Sequence, residues 1–142
     1  PINSGPQHWV LNAAIAALDR WVRGGDPPPM APRLDVAGDP PAYALDDLGN
    51  VRGGIRTPYV DAPLAVLSGL GQTGSGFCGI FGTTVCFDEA MRTTLYPTAA
   101  DYSAAVNEAT DRAVAAGFIL EPDGALIKGA AAASDTCEVL GR

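Results

Sequence analysis

Ser4-Gly-Pro-Gln-His-Trp-Val-Leu-Asn-Ala-Ala-Ile-Ala-Ala-Leu-Asp-Arg-Trp-Val22 is the stretch on which the fold turns. Proline near a first turn costs a helix nothing, because the N–H it lacks has no intrahelical partner there. With Ser4 as N-cap and Gly24-Gly25 as a stop, the spacing predicts a helix over 6–22. Trp9, Ala13, Ala16 or Ala17, and Arg20 fall on one side, while Val10, Ala14, Leu18, Trp21 and Val22 carry the apolar band around. A band this wide, built of alanine with a tryptophan toward each end, suits a helix laid against a sheet.

Outward from that helix the chain divides into two further parts. Asp26-Pro-Pro-Pro-Met-Ala-Pro32 opens a Pro/Gly-rich, β-like arm spanning 26–87. Proline fixes φ and holds the preceding residue extended, so 26–32 is expected to cross a surface without pairing. Arg33-Leu-Asp-Val36 alternates, Tyr43-Ala-Leu45 pairs with it or with a later strand, and Asp47-Leu-Gly49-Asn50 marks a turn. An extended run is expected over 53–61, then a strand over Leu64–Leu67, and the glycine-rich 69–82 is expected to lie close to other backbone.

The last part, 88–142, reads as terminal helices. Asp88 caps a short one that ends at Leu95, and Thr98-x-x-Asp101 resembles a capping box for a helix running to Ala116. Tyr102, Val106, Ala109, Ala113 and Ala116 form its expected buried side, with Gly117 as the stop. Pro122-Asp-Gly124 is expected to turn the chain into a final helix over 125–133.

Composition narrows the chemistry. The 142 residues carry a net charge of −7 with one lysine, Lys128, and scattered arginines, which excludes a phosphate-binding surface and so nucleic acid. The longest weakly polar stretch, Val10–Ala17, is too short for the ~20 residues of a membrane span. A single histidine, His8, builds neither a His-based metal cage nor a histidine relay, and no cofactor or metal ligand set is assigned. Cys78, Cys86 and Cys137 allow at most one internal bridge, and three inert thiols are equally compatible with the spacing.

Motifs of reaction sites fail on context. Gly69-Leu-Gly-Gln-Thr-Gly74 matches G-x-G-x-x-G, yet Ser75-Gly-Phe-Cys-Gly79 continues a loop where a nucleotide site needs a helix. No serine sits in G-x-S-x-G. His8 is the one side chain suited to moving protons near neutrality, and a Cys78–His8 nucleophile pair is conceivable by residue type. The plain alternative is a helix-start histidine with local contacts, so no catalytic residue is assigned and His8 stands as the sole candidate.

Asn3-Ser-Gly-Pro-Gln-His-Trp-Val10, Ala17-Leu-Asp-Arg-Trp-Val22, Ala31-Pro-Arg-Leu34 and Gly53-Gly-Ile-Arg-Thr-Pro-Tyr-Val-Asp61 recur in order with Phe77-Cys78, Phe81-Gly82, Leu95-Tyr-Pro-Thr98 and Asp101-Tyr102. This series resembles the C-terminal region of alpha/beta hydrolase domain-containing proteins. The resemblance implies an α/β fold seen in part, with helices and short peripheral strands and the nucleophile and triad acid upstream. It also implies that the chain, opening at Pro1, is the closing lobe of a larger serine hydrolase acting on ester-like bonds. Its partners would then be the remainder of the hydrolase domain and a small-molecule ester, with the loops around Arg56, Tyr59 and Cys78 lining the cleft. A reading of a different class is a stand-alone acidic binding or interaction domain without catalytic activity.

Overall fold

Two side-chain caps organise the C-terminal half of residues 2–137, the span that the computed structural model describes. Asp88 accepts from the Met91 N–H at 2.8 Å and starts helix α3 (Glu89–Leu95), since the first amides of a helix have no internal acceptor. Thr98 Oγ1 accepts from the Asp101 N–H while Asp101 Oδ2 accepts from the Thr98 N–H, closing the expected box at the start of α4 (Ala99–Ala115). Gly117, at φ +77°, ends α4 in a Schellman turn, with the Phe118 N–H reaching the Ala113 carbonyl and the Gly117 N–H that of Val114.

Helix α5 (Glu121–Ala133) follows almost at once, and here the structure corrects the sequence reading. Pro122-Asp-Gly124 forms the first turn of α5 and not a separate turn, because proline is tolerated where no N–H is needed. Gly124 is buried against α4, and a Cβ there would stand 2.9 Å from Val114 Cγ2. The residue is a packing device. Tyr102, Val106 and Ala113 of α4 meet Ile127 and Ala131 of α5 in the core, completed by Ala62, Leu64 and Ile119. Ala116, expected inside, is exposed; Thr110 is buried instead and donates its hydroxyl to the Val106 carbonyl at 2.7 Å.

Helix α1 (His8–Val22) starts later than expected, with Gln7 and not Ser4 at its N-cap position. The Ser4 N–H donates to Thr84 Oγ1 at 2.8 Å, tying the leading segment to a strand. Only Ala13 and Ala17 of α1 are buried, and Leu11, Ile15, Leu18, Trp21 and Val22 face outward. Trp9 donates Nε1–H to the Tyr59 hydroxyl at 3.3 Å, and Asn12 reaches Asp123 of α5 at 2.9 Å.

The strands are short. β1 (Val36–Ala37) pairs antiparallel with β2 (Ala42–Tyr43), Val36 opposite Tyr43, while Leu45 bridges Val51, so the 43–45 segment takes both of its possible partners. The run expected to stay extended to Asp61 breaks at Thr57, where Pro58 starts the single turn α2 (Pro58–Asp61). β3 (Ala65–Ser68) pairs antiparallel with β4 (Thr83–Cys86), Ala65 opposite Cys86. Asn50, read from sequence as a turn residue, is 1% exposed. Its amide donates to the Ala65 carbonyl at 3.2 Å and accepts from the Leu67 N–H at 2.9 Å, which satisfies an edge of β3.

The glycine-rich loop joins β3 to β4 through a 3₁₀ turn over Gly76–Ile80. Close backbone approach is confined to Gly82, where φ is +59° and a Cβ would strike the Ser68 carbonyl; Gly69, Gly76 and Gly79 face open space. The proline arm forms neither helix nor paired strand, with Pro29 beside Gly117 at the end of α4. A disulfide joins Cys86 to Cys137 with their Cα atoms 5.8 Å apart, leaving Cys78 a free, exposed thiol. The architecture is thus a mixture of five helices and two small strand pairs among the described residues, the helices and short strands that the resemblance implies. No helix among them is long and apolar enough to cross a membrane.

Candidate functional site

His8, Arg56, Tyr59 and Cys78 end up in separate surroundings. His8 is exposed at the start of α1, its ring centroid 3.9 Å from that of Trp9. Cys78 is exposed on the 3₁₀ turn. No hydrogen bond joins His8 to Cys78 or to a serine among the described residues. Several serine hydroxyls serve local structure: Ser4 meets Thr84, Ser68 accepts from the Leu70 N–H, Ser103 donates to the Ala131 carbonyl, and Ser134 meets Thr136. Gly69–Gly74 lies in the β3–β4 loop and opens no α-helix.

Arg56 is an internal clamp. Its guanidinium bonds Asp61, Asp46 (2.9 Å), and the carbonyls of Val51 (3.0 Å) and Val60 (3.1 Å). Burial alone would lower the Arg56 pKa, but the two carboxylates outweigh it and raise it. Asp46 mirrors this: burial pushes it up, yet the N–H groups of Asn50 and Leu48, with Arg56 between them in strength, bring it below its ordinary value. A planar fork of donors matched to two acids fastens the 46–61 segment and leaves little for a substrate.

Tyr59 borders an open, mostly apolar groove of about 500 Å³, shared with Val10, Leu11, Ala14, Val60 and Leu67. Burial raises the Tyr59 pKa, against the lowering effect of the Trp9 hydrogen bond. Neither Arg56 nor Cys78 lines this groove. Of the three loops expected to share a cleft, those of Arg56, through Thr57, and of Tyr59 reach it, and that of Cys78 does not.

A second concavity, about 160 Å³, went unseen in the sequence. Arg92 of α3, Tyr96, Thr98 and Ala99 at the start of α4, Tyr102 and Asp135 surround it. Tyr96 donates to the Pro63 carbonyl at 3.3 Å, and burial pushes its pKa up to about 12. Tyr102 packs edge-on against Tyr96 at 5.2 Å and is likewise raised, by burial first and then by Tyr59, Tyr96 and Asp135. The helical period announced Tyr102 as core. Only the return of the chain beyond α5, held two residues later by Cys137, makes it a cavity wall. Among the described residues no three His, Cys, Asp or Glu side chains gather where a metal ion would sit.

No curated protein and no solved structure matches the chain. The family model described as an alpha/beta hydrolase domain matches residues 1–128, from the segment before α1 into α5. That span takes in α1, both strand pairs, the capped helices and the Arg56 clamp, and on it the chain belongs to the alpha/beta hydrolase domain family.

Proposed function

We propose that the chain is a scaffold lobe of a serine hydrolase that cleaves ester-like bonds, with the nucleophile carried outside these 142 residues. The observation that carries this reading is the outer face of α1. Leu11 and Ile15 are each 58% exposed and Trp21 52%, on the helix whose apolar band is the widest in the sequence. Contiguous apolar surface of this kind calls for a cover. In this reading the cover is the remainder of the hydrolase domain, whose sheet would seat α1. The absence of G-x-S-x-G and the structural use of the serine hydroxyls favour a nucleophile elsewhere. The parent reaction would pass through a serine acyl-enzyme stabilised by an oxyanion hole, with the open groove at Tyr59 adjoining the ester's path.

The test is turnover of a broad ester panel by the chain alone. No hydrolysis above buffer is the expected outcome; hydrolysis abolished by His8→Ala would overturn the reading. Binding of a hydrophobic dye, lost on Leu11→Ser with Ile15→Ser, is expected from the open α1 face. A chain that stays dye-silent and monomeric would point instead to a self-sufficient acidic interaction domain.

A further inference from the structure

We propose that the cavity between α3, the start of α4 and Asp135 binds a small monocarboxylate, of which acetate and propionate are the simplest. The hydroxyl of Tyr102 is the first reason. The residue is 6% exposed, yet among the described residues its hydroxyl has no hydrogen-bond partner. No buried side-chain oxygen or nitrogen is sealed off without a partner, so this hydroxyl opens onto accessible space. Tyr102 lines the cavity beside Tyr96 and Asp135, whereas the concavity it borders at Pro58 and Ile127 is only about 10 Å³.

Arg92 is the second reason. It is half-buried and donates one Nη1–H to the Asp135 carbonyl at 3.3 Å. It forms no ion pair among the described residues, and unlike Arg20 and Arg33, which form none either, it lines this cavity. A guanidinium keeping free donors beside a cavity is matched by a carboxylate, which accepts two of them side by side. The α4 start adds a third element. The cap takes the Asp101 N–H, while the amides of Ala99, which lines the cavity, and of Ala100 next to it are in none of the hydrogen bonds among described residues. Free amides at the head of a 17-residue helix favour negative charge.

The walls choose among anions. Leu64 and Pro97 offer an apolar surface for a methyl or ethyl group, and the volume suits a handful of heavy atoms. Glu89 and Asp135 also line the cavity and repel a dianion such as phosphate about twice as strongly as a monoanion. Burial and the neighbouring acidic group keep the Tyr102 phenol protonated, so it acts as a donor to the ligand.

Amide and arginine side-chain NMR of the intact chain, titrated with sodium acetate, methylammonium chloride or sodium chloride, tests this. Acetate should give saturable shifts at Ala99, Ala100 and the Arg92 Nε–H, with no such response to the other two salts. Arg92→Gln should weaken acetate at least about tenfold, as loss of a charged hydrogen bond does, and Tyr102→Phe about threefold or more while keeping the buried ring. The proposal is overturned if wild-type chain shows no saturable acetate shift at these groups, or if methylammonium moves them equally. It also fails if both variants bind acetate as tightly as wild type. The wild-type titration decides the matter even where a variant does not fold.

Discussion

Helix α1 is richer in large apolar side chains than α4, yet α4 buries five of its residues and α1 only two alanines. The difference lies in what each helix meets. Gly124 lets α5 press onto α4, and Tyr102, Val106 and Ile127 interlock there. α1 is held by a few polar contacts near its start, Trp9 to Tyr59 and Asn12 to Asp123, and its aliphatic side chains find no facing layer. Apolar content therefore does not locate the core of this chain; complementary partners do.

The comparison can be broken, or made sharper, in several ways. The largest effect is expected from the Cys86–Cys137 bridge, which closes 51 residues and so takes in α3, α4 and α5. Cys86→Ser with Cys137→Ser should lower stability by about 4 kcal/mol on the chain-entropy estimate, read as a lower denaturation midpoint. Ile127→Ala, in the packed half, should cost about 3 kcal/mol by the same measurement. Thr98→Ala removes one side of the capping box and should cost about 1 kcal/mol, with loss of helical circular dichroism on heating.

A smaller effect belongs to acid. The folded-state pKa of Asp46 lies below its ordinary 3.8, so its contribution is complete above that value and disappears as pH falls through the lowered one. Arg56→Gln should therefore flatten the loss of stability as pH falls below 3.8, followed by denaturant midpoints on the acid side. The smallest change is expected for Ile15→Ala on the open face of α1, under about 0.5 kcal/mol for the chain alone. A cost there as large as that of Ile127→Ala, growing with protein concentration, would show that copies of the chain cover α1 and would undo the contrast.

Legibility followed locality. Asp88, Thr98 with Asp101, and Gly117 act within a few residues of themselves, and all three were readable because caps and stops are local chemistry. Pro58 and Pro122 misled because proline's fixed φ suits more than one conformation: Pro58-Tyr-Val fits an extended run or a helical turn, and Pro122-Asp-Gly a turn or a helix's first turn. Ser4 has the side chain of a cap, but its partner is Thr84, 80 positions away, and nothing near Ser4 announces it. The pairing of Cys86 with Cys137 over Cys78 is a matter of distance in space, which spacing in sequence does not carry. The Arg92–Tyr102 cavity was hidden for the same reason, since its far wall is supplied by Asp135.

The bridge that completes that wall also changes what proteolysis would do. A protease nick anywhere between Cys86 and Cys137 leaves both products covalently joined, so the cut chain would migrate as one species until a reductant separates the halves. Damage to the loop before α4, or to the short link between α4 and α5, would then be silent to size and visible only to chemistry that opens the ring.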